Sequence, residues 1–448
     1  MKRYQEITLV ACQRALVTVS LCVLALYAGK SVAQSDQGKV NLPWVLEKTL
    51  LNNVQLQSFP YELRVSEALT IQAGISPNPE FSVEVENVLG TGERQGVDNA
   101  EITLALSQLI ELGGKRQRRV DVAQATERQK LSEYEILRLD ILAEATGRYY
   151  QLLRLQALQD WSERRFLVEQ TALKAIESRA NAGAVIQADV TKMALRLSRT
   201  KAVKEQLDGE TRLARLRLAA MWSREPHFTR ALGTLDLSLT LPTAASVLNA
   251  IETAPQYLQL LSVERLMYAK RRMEESKAQY DVTLGMGVRS YEGFDDGALM
   301  FNFSMPIPLS NPNQGNILAA KANEDRAMEQ QKLVRGQLRL SLMEIHQVMV
   351  NNARQASRIQ QQVLPLAQRL LEDTQGAYQT GQTNVLQLVD AQSELFAIER
   401  ELIEVKVAVY QQRLELERIT GQSMTATDSN FSSNARSNMT PFVAQENR

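Results

Sequence analysis

The chain has 448 residues, with 51 basic and 51 acidic side chains and a formal net charge of zero. Balanced charge sets up no overall field toward nucleic acid or another strongly charged partner. Only 6% of residues are aromatic, and Leu, Ala, Gln, Glu and Arg dominate the middle, a composition that predicts long helices.

Lys2 and Arg3, the apolar stretch from Ala15 to Ala28, and Ser31-Val32-Ala33 together read as a secretory signal over residues 1–33, with Gln34 the first mature residue. An uncleaved anchor is the alternative, but the apolar run falls short of the ~20 residues that cross a bilayer. Cys12 and Cys22 both lie in this segment, so the mature chain has no thiol for a disulfide or a thiolate metal site. No later run reaches helix-spanning length, which leaves a soluble protein or a β-barrel.

Residues 34–79 form an N-terminal segment in this reading, with one or two helices ending near Gly74 and stopped by Pro77 and Pro79. The first repeat spans 80–221. Phe81, Val83 and Val85 alternate with Ser82, Glu84 and Glu86; after the polar loop from Gly90 to Asn99, Ile102, Leu104 and Leu106 alternate with Glu101, Thr103 and Ser107. Two runs of period two around a glycine-rich loop predict a hairpin. Gly113-Gly114 then breaks the pattern, and Gln117 to about Ala180 contains no proline. Tyr134, Leu137, Ile141, Ala145, Tyr149 and Leu152 step by threes and fours along one helical face. Such a helix is ~95 Å long. A turn at Gly183 leads into a returning helix from about Ile186 to Met221.

Residues 222–279 separate the halves, with prolines at 226, 242 and 255 around a helix. The second repeat, 280–420, has the same order. Val282, Leu284, Met286 and Val288 alternate with Thr283, Gly285, Gly287 and Arg289; Leu299, Phe301 and Phe303 follow in the return strand. A second long helix from Gly315 to about Tyr378 has a kink expected at Pro365. After a turn at Gly381, Leu395, Ile398, Leu402, Val405 and Val409 mark a heptad seam. Residues 421–448 are polar and read as a disordered tail. Ser107 to Leu112 aligns with Ser304 to Leu309, and the turn at Gly183 with that at Gly381, so the chain is an internal duplication.

Four strands cannot close a barrel, and open strand edges cannot sit in lipid. Several copies pooling their strands around one axis would supply the rest; three copies give twelve. The apolar rows would then meet lipid, while Glu84, Glu86, Glu101, Thr103, Arg289 and Asn302 line a wet lumen. The alternative is two soluble hairpins packed on helices with their charges outward.

The hairpin, the E-L-G-G-K-R stretch from Glu111 to Arg116, the V-L-P-L-A stretch from Val363 to Ala367 and the tyrosine-x-x-glycine turn from Tyr378 to Gly381 resemble the TolC family of Gram-negative outer-membrane efflux proteins. The glycine-containing stretch is most like the CzcC-type branch, which serves heavy-metal exporters. The resemblance implies a mainly α protein with a membrane β-barrel: a homotrimer with a twelve-stranded barrel in outer-membrane lipid and a helical tunnel across the periplasm. It also implies coupling through a periplasmic adaptor to an inner-membrane pump of the RND type, with heavy-metal cations as cargo; drug or protein export is the alternative within the family, and a non-channel coiled-coil scaffold of the envelope the alternative outside it.

By the same resemblance, Gly183, Ala184, Gly381 and Gln382 form the adaptor-docking tips, and Asp189 and Asp390 guard the entrance. Asp390 would become a ring of carboxylates under threefold symmetry. Gln387 stands where some relatives carry another aspartate, and Thr383 where they carry an arginine bonded to the other hairpin, so their closing lock is not assumed here. Lys115, Arg116, Arg118 and Arg119 sit where barrel meets helix, either facing lipid head groups or the passage, or simply solvated. His227 and His346 are the only histidines and lie far apart in sequence. No nucleophile, base and metal constellation is present, so neither an enzyme nor a cofactor is expected.

Overall fold

A computed structural model describes residues 38–92, 96–97, 99–236, 241–292, 296–307 and 311–423. The signal segment with both cysteines, and the polar tail from residue 424, lie outside the described residues.

The chain begins with a two-residue strand β1 (Lys39–Val40) and helices α1 (Leu42–Asn52) and α2 (Val54–Ala73). Asn41 and Asn53 cap these helices, each accepting hydrogen bonds from backbone N–H groups of the first turn. Strands β2 (Glu80–Glu86) and β3 (Glu101–Ile110) form the first hairpin. Helix α3 (Lys115–Asn181) follows; its 67 residues make it ~100 Å long. Helix α4 (Gln187–Ala219) returns along it.

A short strand β4 (Arg230–Ala231) then pairs in parallel with β1. Helices α5 (Ala244–Asn249) and α6 (Pro255–Lys277) lead into the second hairpin, β5 (Val282–Tyr291) and β6 (Asp296–Ser304). Helix α7 (Gln314–Arg358) passes through a π-helical turn at Ile359–Val363 into α8 (Leu364–Gln379). The expected kink at Pro365 is thus taken up by a widened turn just ahead of the proline, which sits in the first turn of α8, where its missing N–H costs nothing. Helix α9 (Val385–Thr420) completes the chain.

The two hairpins join into one antiparallel sheet in the order β2-β3-β5-β6. The helices form one layer on its helix-bearing side. In the half away from the sheet, α4 packs on α3, α3 on α9, and α9 on α8; nearer the sheet, α2 packs on α3, α3 on α6, and α6 on α7. The α3 face picked out by periodicity packs into one buried cluster with β1, α4 and β4, in which Ala145, Tyr149 and Leu152 are almost fully buried. Burial pushes the Tyr149 hydroxyl up to about 12, and it donates to the carbonyls of Leu232 and, at 3.4 Å, Val40. The heptad seam of α9 packs as spaced: Ile398 and Leu402 are buried with Leu395 and Val405 against Ala356, Ile359 and Ala367. Several links hold the two repeats together across this layer, among them three that are charge-assisted or buried. Arg154 forks onto Glu404 with two bonds of 2.6 Å, Arg418 reaches Asp140 at 2.7 Å, and the buried Trp161 indole N–H donates to the Phe396 carbonyl at 2.9 Å.

Candidate functional site

The sheet register sorts every strand side chain onto one of two faces. Cross-strand rungs run Val83–Leu104–Val288–Leu299 and Phe81–Leu106–Met286–Phe301. The whole predicted apolar set therefore shares one face, and most of it is exposed in the single chain; Phe301 is 81% exposed and Leu299 75%. A face of this size left bare is an interaction surface. Both outer strands, β2 and β6, have one unpaired edge in the single chain.

The opposite face is polar and built around Arg289. Its guanidinium binds Glu101 at 2.8 Å and Glu86 at 2.9 Å and donates to the Thr103 hydroxyl at 2.8 Å. Glu101 also accepts from the Asn87 amide at 2.8 Å. Glu84 shares the rung of Thr103 and Arg289. Glu86, Glu101, Thr103 and Arg289 are thus brought together as one charge-assisted network, two carboxylates against one guanidinium, with Glu84 beside it on the same rung. Small residues let the strands close up on this side. A Cβ at Gly287 would lie 2.6 Å from the Leu104 carbonyl oxygen and 3.0 Å from the Ala105 Cβ.

Strand becomes helix at Gly113-Gly114, both in the left-handed region at φ 68° and 70°. Gly113 is needed twice over, since a Cβ there would lie 2.6 Å from the Gln279 side chain. Every side chain of the basic run after it has a partner within the chain. Lys115 binds Asp281 at 2.7 Å, Arg119 binds Glu111 and the carbonyls of Ala73 and Ile75, Arg116 reaches the Ser76 hydroxyl at 3.2 Å, and Arg118 binds Asp121 at 2.9 Å. These side chains stitch α2, β3, α3 and the segment before β5 into one joint.

The far end of the layer holds the two helix turns. Gly183 and Gly381 have the same φ of 74°. The hydrogen bonding around them is also the same: Ala184 N–H donates to the Arg179 carbonyl and Gln382 N–H to that of Ala377, both at 2.9 Å. This is the six-to-one closure of a left-handed helix stop, made once in each repeat. All four predicted tip residues are exposed. Behind the turns, Ile176 and Met193 of the first repeat pack on Val385 and Val389 of the second.

Two further contacts cross between the repeats here. The Arg179 guanidinium lies 4.4 Å over the Tyr378 ring. Arg196 approaches the Asp390 carboxylate at 3.5 Å and the Val389 carbonyl at 3.4 Å. Asp390 therefore has a cationic partner from the other hairpin, which reduces the repulsion a ring of bare carboxylates would generate. Its side chain is 64% exposed, so the pair contributes about 0.2–1 kcal/mol. Thr383 and Gln387 bond to each other, and the Gln387 N–H is capped by Asn384 at 3.0 Å; neither reaches the other hairpin. Asp189 sits in the first turn of α4, where the helix dipole favours a carboxylate. Sequence reasoning missed Arg196 and Arg179. Each stands in a run of ordinary helix residues, and only the packing of α3 and α4 on α8 and α9 gives them partners.

Among the described residues no cluster of His, Cys, Asp and Glu could hold a metal ion, and no helix is long and apolar enough to cross a membrane. His346 contacts the Pro242 carbonyl at 3.0 Å, and His227 lies on a separate cleft beside β1.

An exposed apolar strand face with two open edges, carried on a ~100 Å helical layer that ends in paired glycine turns, is the build of a membrane channel protein. The chain belongs to the outer membrane efflux protein family, whose pattern matches residues 45–224 and 268–422. It is 26% identical to the cobalt-zinc-cadmium resistance protein CzcC of Cupriavidus metallidurans, over 92% of this chain and 100% of that one. Its fold is similar to that of a membrane protein from Pseudomonas aeruginosa (TM-score 0.71, 16% identity, 85% of this chain and 92% of the other). It is also similar to the outer membrane protein VceC of Vibrio cholerae (TM-score 0.65, 20% identity, 86% and 96%). The chain is therefore an outer-membrane efflux channel protein of the TolC type, and its family is one of ducts, not of enzymes.

Proposed function

We propose that three copies of the chain form a passive, gated exit duct for heavy-metal cations. An adaptor protein in the periplasm couples the duct to an inner-membrane pump of the RND type, which supplies the energy. The observation that carries this reading is the sheet. Its strands alternate direction in the order β2-β3-β5-β6, so β6 of one copy meets β2 of the next antiparallel, and three copies close an even, twelve-stranded ring with no free edge. The apolar face then turns to lipid, and the Arg289 network lines the lumen.

The helical layer supports the same head-to-tail assembly. Its two lateral edges are exposed and apolar, with Tyr61, Val65 and Leu69 on α2 at one side and Leu333 and Leu340 on α7 at the other. Near the tip, exposed Leu195 on α4 and exposed Leu370 on α8 lie at similar heights, each ~12–14 Å from its turn-side helix end. Gly183, Ala184, Gly381 and Gln382 would meet the adaptor, and Asp189 and Asp390 would face the entrance.

Metal cargo rests on the full-length likeness to a cobalt-zinc-cadmium resistance protein. With no metal-holding cluster among the described residues, cations would pass through wide, wet space and selectivity would belong to the pump. The test is a deletion strain scored for zinc, cobalt, cadmium, nickel and copper tolerance. Loss of tolerance to at least one, restored by the gene, supports metal export. Unchanged tolerance to all five together with new drug sensitivity would move the cargo to the drug-export alternative.

A further inference from the structure

Beside the helical layer, β1, α1 and the segment after α4 enclose a cleft of about 210 Å³. No step of duct assembly or gating uses it. Its walls are aromatic. Trp44 and Trp222 meet edge to face at 5.5 Å, and Phe228 lies 6.1 Å from Trp222. Trp222 and Phe228 are each 5% exposed, so their rings are fixed by the core, while Trp44 remains partly open. Three cationic side chains, Lys39, Lys48 and Arg224, line the same space against one carboxylate, Glu225. Lys48 lies 5.8 Å from the Trp44 ring centre.

The cleft is also held rigidly. The β1–β4 pairing is extended by backbone bonds of 2.7 Å from Thr229 to Gly38 and from Leu232 to Val40. The Asn53 amide ties α1 and α2 to the Met221 carbonyl at 3.0 Å. Aromatic walls together with charged lining groups in a preformed cavity are the features of a ligand site. The volume is below the ~300 Å³ of sites for drug-sized molecules, so the enclosed part of the occupant is a single ring-sized group. The C–H faces of a pyranose suit indole walls, and a carboxylate on a substituent of that sugar, held at the open side of the cleft where Lys39 and Arg224 are exposed, suits the lysine and arginine heads.

Position narrows the source. Tyr149 reaches the β1 carbonyl of Val40, which places β1 about 34 residues along α3 from the strand joint, or ~51 Å from the membrane end. A sugar acid of the outer-membrane surface cannot span that distance, whereas the cell wall lies within the periplasm. We propose that this cleft binds a muramyl peptide of the cell wall, with its sugar ring between the indoles and the free carboxylate of its amide-linked peptide on Lys48 and Arg224, and so anchors the duct where it crosses that layer. The proposal rests on the periplasmic placement above and is independent of what the duct exports.

The test uses the full chain purified in mild detergent, with muramyl dipeptide as the probe and tryptophan fluorescence and calorimetry as readouts. Saturable binding that changes the fluorescence is expected. Arg224→Gln and Lys48→Met should each raise Kd about tenfold, the loss expected for one charge-assisted bond, while Lys48→Arg retains binding. Neutral N-acetylglucosamine should bind at least tenfold more weakly, and isolated sacculi should retain the wild-type chain but not the Arg224→Gln variant. Arg224 is exposed, and an unchanged gel-filtration volume would show that its variant is still folded and assembled. Three results would overturn the proposal: no binding of the dipeptide, equal competition by acetate, or equal affinity for N-acetylglucosamine. Failure here leaves metal export standing, and failure of the metal-tolerance test leaves this binding assay intact.

Discussion

Phe301 and Asn302 are neighbours on β6, near its middle, and their side chains fall on opposite faces of the sheet. Phe301 pairs with Met286 on the apolar face and is 81% exposed in the single chain; Asn302 pairs with Gly285 on the polar face. If the apolar face meets lipid, Phe301→Arg places a guanidinium near the bilayer midplane at a cost of about 2–4 kcal/mol per copy. The lost phenyl burial adds about 1.5–3 kcal/mol. Three separated copies in one barrel add nearly independently, giving about 10–21 kcal/mol for the assembly. Asn302→Arg puts the same charge into water and should cost less than about 1 kcal/mol. The assay is urea unfolding in lipid vesicles, followed by tryptophan fluorescence and by the gel mobility of the heat-modifiable oligomer. The reasoning predicts no assembled Phe301→Arg protein and near-normal Asn302→Arg protein. Equal effects of the two substitutions, or the reverse order, would refute the assignment of the faces.

At the tip, Asp390→Asn and Arg196→Ala should change cation block in opposite directions in bilayer recordings, because one removes a carboxylate and the other exposes it; identical traces from both would remove Asp390 from the entrance. Gly113→Ala should destabilise the assembled protein by about 2–4 kcal/mol per copy, combining left-handed strain with the clash against Gln279. Gly92→Ala has the same φ sign but open space around it, so it should cost only about 1–2 kcal/mol in the same melting assay. Glu415 is held below the usual carboxylate range by its hydrogen bonds from Arg418, despite partial burial. Its contribution to stability is therefore present above the ordinary value of 4.5 and lost as pH falls below it. Acid titration should show Glu415→Gln with a shallower loss of stability below that pH than wild type; parallel curves would discount the pair.

Much of this architecture could be read from spacing because its elements are long and repetitive. The period-two runs from Phe81 and Val282 named their faces correctly, since a strand with one apolar side permits only one register. The α9 seam and the α3 face followed the helical period for the same reason. Glycine at 183 and 381 marked helix stops that the chain makes with matching backbone bonds. What spacing could not convey was lateral order. The pairing of β3 with β5, which fuses the hairpins, joins residues far apart in sequence and leaves no local mark. Strands β1 and β4 have two residues each, too few for any period, so the cleft they frame was invisible. At the candidate gate, the aspartate could be named but not its partner, because Arg196 finds Asp390 only after the two hairpins pack. The basic run after Gly114 was legible as charge but not by its partners: Asp281, Glu111 and the Ala73 carbonyl come beside it only in the fold.

The central claim is that copies of this chain close a continuous, water-filled path through the outer membrane. Planar-bilayer recording of the mature, purified oligomer tests it most directly. The account predicts discrete single-channel steps, with a conductance altered by Arg289→Ala in the lumen and by Asp390→Asn at the tip. Membrane-inserted oligomer that carries no current at any voltage, even with the tip opened by Arg196→Ala and Asp390→Asn together, would contradict it.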